Sequence, residues 1–463
     1  MSEARSNGLA RVLSPVEVLL LTLSALSPVL SVFIGGNGVL HLAGTGAALA
    51  FLLGGAFNIL FCLLYSEVAA AFPGAGGVYP SLTRLLGPRW SYAYVMLGVP
   101  LTFFSVAFAG LGLASYLHTL SPALPLLAIA VAGIVLAGLI SIFGIKSNAL
   151  ITGAFLAVEL IALAVLTVVA IRHLASPLSQ VILHPVELTR DRLVATPPVT
   201  LAIATVSGVW ATAGASWALF FAEEMQDVQR RIGRVVAWSG AIASLTIALP
   251  LILVVLAIDD LPAVLHSEAP IATFLDRSAG PLVGTVITIG VVAAIFNALV
   301  ASIMGQSRFL FAVGRDRALP GPISRLLATI HPRFHSPIGA SLTVIALASI
   351  LTLLGERWLL IIISGNVSDY ILVALAVWAG RRSGLTGHFF KVPLHPLVPL
   401  LGLLGGAGAI YADWQDVDAG RPSMGLLLAL FSGALLFYGW QRRKRGHDIV
   451  LSGTDTGSPD HSS

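Results

Sequence analysis

The sequence predicts an all-α, polytopic membrane protein with twelve transmembrane helices, and three observations carry that prediction. Of its 463 residues, 57% are hydrophobic and only 10% are charged, against about 45–50% and about 25% in soluble domains. Apolar runs recur along the chain; a span needs about 20 apolar residues, so twelve spans take roughly 240 and leave about half the chain for connections. Lys and Arg alternate in density from one connection to the next, as expected when positive side chains near span ends stay on the cytoplasmic side.

The runs lie at 16–42, 46–71, 91–118, 123–143, 149–171, 199–222, 235–258, 281–304, 337–354, 358–379, 397–412 and 424–440. The first follows a polar stretch with Arg5 and Arg11, as in a secretory signal, but it is too long for a signal core and eleven runs follow, so it is read as a retained span. With the N-terminus inside, only Arg172, Arg190, Arg192, Arg277, Arg357 and Arg421 of the 26 Lys and Arg fall outside. One span more or fewer would reverse every later loop and spoil this bias. Both termini are therefore expected in the cytoplasm, with the chain in the cytoplasmic membrane. The chain divides into a cytoplasmic segment 1–15, spans 1–5 over 16–171, an extracytoplasmic loop 172–198, spans 6–10 over 199–380, spans 11–12 over 397–440 and a polar tail 441–463. The Ser/Gly/Asp-rich composition of the tail predicts disorder; that of loop 172–198 decides nothing.

Several function classes are disfavoured. The net charge of +4 comes from scattered residues rather than a basic stripe, so no nucleic-acid partner is expected. Cys62 is alone, which leaves no disulfide framework and no thiolate cluster. His331 and His335 have an i,i+4 interval, but Pro332 and Pro337 work against a shared helical face. The sequence has neither a nucleophile elbow nor a phosphate-binding Gly-x-x-x-x-Gly-Lys-Ser/Thr loop, and Lys146, Lys391 and Lys444 lie in unrelated contexts. The expectation is no enzyme, no metal and no cofactor, with any transport driven by a gradient.

Two spans look interrupted, and they open the two five-span units. In span 1, Pro28 of Ser27-Pro28 cannot donate the bond that the Ser24 carbonyl would accept; Ser31, Gly35, Gly36 and Gly38 follow. In span 6, Ser207-Gly208 and Thr212-Ala213-Gly214-Ala215-Ser216 form a window of small residues. Small residues for close packing and a proline kink explain either window alone. Their coincidence at the first span of each unit points to a midplane substrate site, where freed amides hold a carboxylate and freed carbonyls an ammonium or a cation.

Glu159, ten residues into span 5, is the candidate ion-coupling group, because a carboxylate at that depth must face a cavity, pair or take up a proton. The plainer reading is a packed Glu bonded to a neighbouring helix. Asp369 in span 10, flanked by Asn366 and Ser368, and Glu67, before the turn-forming Phe72–Gly77 segment, are read as gating or structural. Glu223 and Glu224 are expected to form a solvated ion-pair cluster with Arg230, Arg231 and Arg234. Asn58 and Asn297 are expected to bond between helices.

Over about residues 15–440 the chain resembles the amino acid–polyamine–organocation superfamily. The resemblance rests on Ala43-Gly44-Thr45-Gly46, on Tyr65-Ser66-Glu67 through Phe72-Pro73 to Gly76-Gly77-Val78-Tyr79, and on Phe221-Ala222-Glu223-Glu224 leading to Arg230-Arg231 and Arg234. It rests also on Ser307–Phe311 followed by Gly314-Arg315-Asp316-Arg317-Ala318-Leu319-Pro320. It implies a five-plus-five inverted repeat with broken helices 1 and 6, plus two C-terminal helices. It also implies binding of a substrate's carboxylate and amine at Pro28, Val29, Leu30, Ser31 and Val32 and at Thr212, Ala213, Gly214, Ala215 and Ser216. The chain carries Val29-Leu30-Ser31 where many members have Gly-Ser-Gly, and Ala215 where an aromatic is usual, a role open to Trp210 or Trp217. Glu159 aligns roughly with a span 5 position where some proton-coupled members carry a lysine in place of a sodium ion. The implied activity is secondary active transport of an amino acid or related amine across the lipid bilayer, by proton symport with sodium left open, through alternating access. The alternatives are an exchanger and, further off, a channel or non-transporting sensor.

Overall fold

A computed structural model describes residues 9, 11–121, 123–143, 145–359 and 368–445. Much of segment 1–15, Asn366, and the tail beyond Arg445 lie outside the described residues. The described chain is mostly helical. In order, α1 (Pro15–Leu26), α2 (Pro28–Leu30), a π-helical turn (Ser31–Gly36), α3 (Asn37–Ala43) and α4 (Ala47–Ala71) are followed by α5 (Tyr79–Leu85), α6 (Pro88–Leu120), α7 (Leu126–Ser141), α8 (Ile145–Arg172) and α9 (Leu178–Leu183). After a hairpin of β1 (Val186–Thr189) and β2 (Arg192–Ala195) come α10 (Pro198–Thr212), a 3-10 helix (Ala215–Glu224), α11 (Val228–Ala257), α12 (Leu261–Leu265), α13 (Pro270–Ala279), α14 (Pro281–Arg315), α15 (Gly321–Leu327) and α16 (Ile338–Leu351). The last helices are α17 (Ser368–Arg382), α18 (Leu397–Gln415) and α19 (Gly420–Arg445).

Among the described residues, eight helical segments are long and apolar enough to cross a membrane, the first of them running from Pro15 to Ala71. Two further apolar helices, Leu126–Ser141 and Ile338–Leu354, are shorter. They fall on the expected runs 123–143 and 337–354, while the expected run 358–379 lies partly outside the described residues. The chain is a multi-pass membrane protein.

The expectation of an all-α fold needs one correction. Loop 172–198 contains α9 and an antiparallel hairpin that pairs Val186 with Ala195 and Thr189 with Arg192. Its turn residues Arg190 and Asp191 both have positive φ, which is the backbone of a tight hairpin turn. The hairpin docks on the corner between α3 and α4, where Val186 N–H donates to Thr45 Oγ1 at 2.8 Å. At the C-terminal cap of α12, His266 Nε2 lies 3.0 Å from Asp191 Oδ1, and the carboxylate raises the imidazole above its ordinary value.

Packing centres on two sets of helices. Helix α4 runs against α10 and α11, and at its crossing with α10 a Cβ on Gly54 would come within 2.6 Å of the Gly208 backbone. The backbones therefore approach as closely as small residues allow. Helix α14 is buried over most of its C-terminal half and packs on α1, α6, α7 and α8. This arrangement brings the start of α2, the end of α10 and the middle of α8 to one place.

Candidate functional site

The interruption after α1 is confined to one residue. Ser27 has φ 45 and ψ 94, a conformation that few non-glycine residues adopt. Pro28 restarts the helix, at the first-turn position that tolerates a missing N–H. The interruption expected at Ser27-Pro28 is thus a break at Ser27 followed at once by the short α2 and the π-turn. Pro28, Val29, Ser31 and Val32 are buried and Leu30 is half-buried. Tyr116 Oη donates to the Phe33 carbonyl at 2.8 Å, which ties α6 to the π-turn.

The second interruption follows α10. Ala213 is extended and Gly214 has φ 124, a region open in practice only to glycine. The 3-10 helix begins at Ala215; its first amides have no partners within the helix by construction. Thr212 and Ala215 are buried, Ala213, Gly214 and Ser216 half-buried. The Thr212 carbonyl accepts from Asn58 Nδ2 at 2.8 Å, and that amide also donates to Ser244 Oγ at 3.0 Å. The two interruptions touch: Leu26, one residue before the kink, packs over Gly214, with side-chain atoms 3.1–3.4 Å from where a Cβ would stand. Trp210 sits edge-on to Phe108, and Trp217 is tilted against Phe220.

Glu159 reaches this junction from α8 and is 1% exposed. Its Oε2 accepts from Ser27 Oγ at 2.8 Å and its Oε1 from Asn297 Nδ2 of α14 at 3.2 Å. The Val29 N–H, at the amide end of α2, lies beside the same carboxylate. Three helices thus converge on one carboxylate, and among the described residues no Lys, Arg or His forms an ion pair with it. Asn297 Nδ2 donates also to the Thr152 carbonyl, whereas Asn297 Oδ1 is buried without a partner. Ser27 and Asn297 were not singled out as site residues from sequence. The signals were a serine before the kink proline and a lone amide in the middle of an apolar run.

The remaining carboxylates lie elsewhere. Asp369 accepts from Tyr65 Oη at 2.6 Å; among the described residues its second oxygen is buried without a partner, and it shares no hydrogen-bond partner with Glu159. Glu67 ties down a different loop from the one expected: it accepts from Arg381 at 2.5 and 2.6 Å, from Thr386 Oγ1 at 2.7 Å and from Val392 N–H at 2.8 Å, all in or beyond α17. The Phe72–Gly77 loop is held instead by Glu223, which accepts from Ala75 N–H at 3.1 Å.

Glu223 and Glu224 do not form the solvated cluster expected with Arg230, Arg231 and Arg234. Glu223 takes a bidentate pair from Arg315 at 2.8 and 2.9 Å, and Glu224 makes a buried bidentate pair with Arg308, both on α14. Next to them Asp316 accepts from Tyr79 Oη at 2.9 Å. Burial pushes the Asp316 carboxyl up to about 6, against the opposing pull of Arg315 and Tyr79. Leu13 N–H donates to the Glu224 carbonyl and the Leu13 carbonyl accepts from Gln226 N–H. These contacts tie the segment before α1, the 3-10 helix and the end of α14 together.

A model of the family described as amino acid permease matches residues 13–408. An uncharacterized transporter of Mycobacterium tuberculosis is 27% identical over 322 residues, 67% of this chain and 67% of that protein. The Asc-type amino acid transporter 1 of Homo sapiens is 26% identical over 351 residues, 71% of this chain and 63% of that protein. The serine/threonine exchanger of Bacillus subtilis is 27% identical over 184 residues, 39% of this chain and 40% of that protein.

Proposed function

The chain belongs to the amino acid permease family, and from that premise we propose that it is an amino acid or amine symporter of the cytoplasmic membrane, driven by protons through Glu159. The frame of the proposal is twelve spans with both termini cytoplasmic, two inverted five-span units, and alternating access around the interruptions at Ser27 and Gly214. The observation that carries it is the buried carboxylate of Glu159 bonded to Ser27 Oγ at the first interruption, beside the Val29 N–H.

An amide end of a helix is a natural seat for a substrate carboxylate, but here the protein's own carboxylate holds it. While Glu159 is ionised, both of its oxygens accept hydrogen bonds and its charge stands in front of the Val29 N–H. A proton on Glu159 turns one oxygen into a donor, loosens the tie between the kink and α8, and leaves Val29 N–H for the incoming carboxylate. The amine then faces the carbonyls around Thr212 and Ala213. Proton uptake precedes substrate binding in this scheme, and the bulk of Val29 and Leu30 favours a small substrate. The KM for uptake should therefore fall as the outside pH falls. In Glu159→Gln it should lose its pH dependence, and an unchanged pH profile in that variant would remove Glu159 from the coupling step.

The second reading is an exchanger, which the likeness to the serine/threonine exchanger favours. It predicts exchange in preloaded vesicles with no accumulation under a proton gradient.

A further inference from the structure

Away from the interruptions, a cavity of about 780 Å³ opens between the start of α1, the start of α11 and the segment after α17. Its mouth is lined by Arg230, Arg231 and Arg234, all exposed. Among the described residues the only carboxylate paired with them is Asp227, 3.8 Å from Arg231. Three arginines thus line one cavity with one weakly held counter-charge. Glu223 and Glu224 are not available to them, being committed to α14.

The charge gives way to apolar surface in a definite direction. Trp238 stands one helical turn beyond Arg234 and is 64% exposed; Ile242 stands one turn further, about 12 Å from Arg234 along the axis. Val16 and Leu19 of α1 and Phe389 line the same cavity. An arginine mouth over an indole and an aliphatic floor matches an interfacial lipid, with phosphate at the mouth and an acyl chain along the helices. Guanidinium groups suit phosphate because they offer paired donors in one plane.

We propose that this groove is a binding site for an anionic phospholipid of the leaflet that faces the arginines, the cytoplasmic one in the orientation given above. The site needs only that the chain is embedded in a membrane, so it stands apart from the coupling reading.

The test is native mass spectrometry of the full-length protein in detergent, titrated with phosphatidylglycerol, phosphatidylcholine or inorganic phosphate. Each arginine near a lipid surface is worth about fivefold, so R230Q/R231Q/R234Q should weaken one phosphatidylglycerol site on the order of 100-fold and leave phosphatidylcholine binding unchanged. Leu19→Trp, which fills the floor without touching a charge, should weaken the same site, and it keeps the test open if the triple variant does not fold. Inorganic phosphate should not displace the lipid. Retention of phosphatidylglycerol by both variants would overturn the proposal; so would displacement by inorganic phosphate, which would make the mouth an anion site without a chain groove.

Discussion

Glu159 and Glu224 are both buried carboxylates, and what answers each of them separates their roles. Glu224 meets the Arg308 guanidinium, itself buried under the ring of Phe221; Glu159 meets a hydroxyl and amides. Removing the counter-charge from a buried ion pair strands the charge left behind, while a carboxylate held only by neutral donors has no such partner. Arg308→Met should therefore cost about 3–5 kcal/mol of stability, with much of the loss recovered in R308M/E224L, as thermal unfolding in detergent would show. The depth of Glu159 was legible from its place in an apolar run. The partner of Glu224 was not, because Arg308 lies 84 positions away while Arg230 stands close by in sequence. A milder case is His266, whose value is raised by Asp191. The contact stabilises the hairpin fully below the ordinary histidine value of about 6.5 and is lost as pH rises through the raised one. Amide exchange over residues 186–195 should accelerate across that window relative to a His266→Gln control; identical pH profiles in the two proteins would remove the contact from the account.

The interruptions are properties of elements, and the chain announced them unequally. Gly214 in its small-residue window marked the break in the second unit, and there the backbone does leave the helix. Ser27-Pro28 marked the first, but a proline that can serve as a first-turn residue permits a kink as readily as an unwound stretch, so the helical α2 was not legible. Neither was the hairpin, since Arg190-Asp191 lacks the Asn-Gly signature of its turn type. Gly214→Ala places a side chain at φ 124 and against Leu26, which should cost about 1–3 kcal/mol and reduce uptake. Gly38→Ala, with open space around it, should be neutral or stabilising by up to about 1 kcal/mol. Equal behaviour of the two variants in uptake and melting assays would remove Gly214 from the hinge.

On the scale of the whole molecule, the composition and the spacing of apolar runs sufficed for the membrane class, and ordered motifs sufficed for the family. Which side chains from distant runs share a site required the fold: Ser27, Glu159 and Asn297 come from three helices and meet only because α1, α8 and α14 pack together. Glu224 with Arg308 and Leu13 with Met225 tie the segment before α1 and the 3-10 helix to the bundle, and in the proposed cycle these ties open once Glu159 is protonated and the substrate is seated.

Whether a proton on Glu159 drives accumulation is decided with purified protein in proteoliposomes, offered labelled amino acids and amines under an imposed pH gradient without sodium. The wild-type protein should accumulate at least one of these solutes, and Glu159→Gln should exchange the same solute across preloaded membranes without concentrating it. Accumulation by Glu159→Gln equal to that of the wild type, under the same gradient, would contradict proton coupling through Glu159.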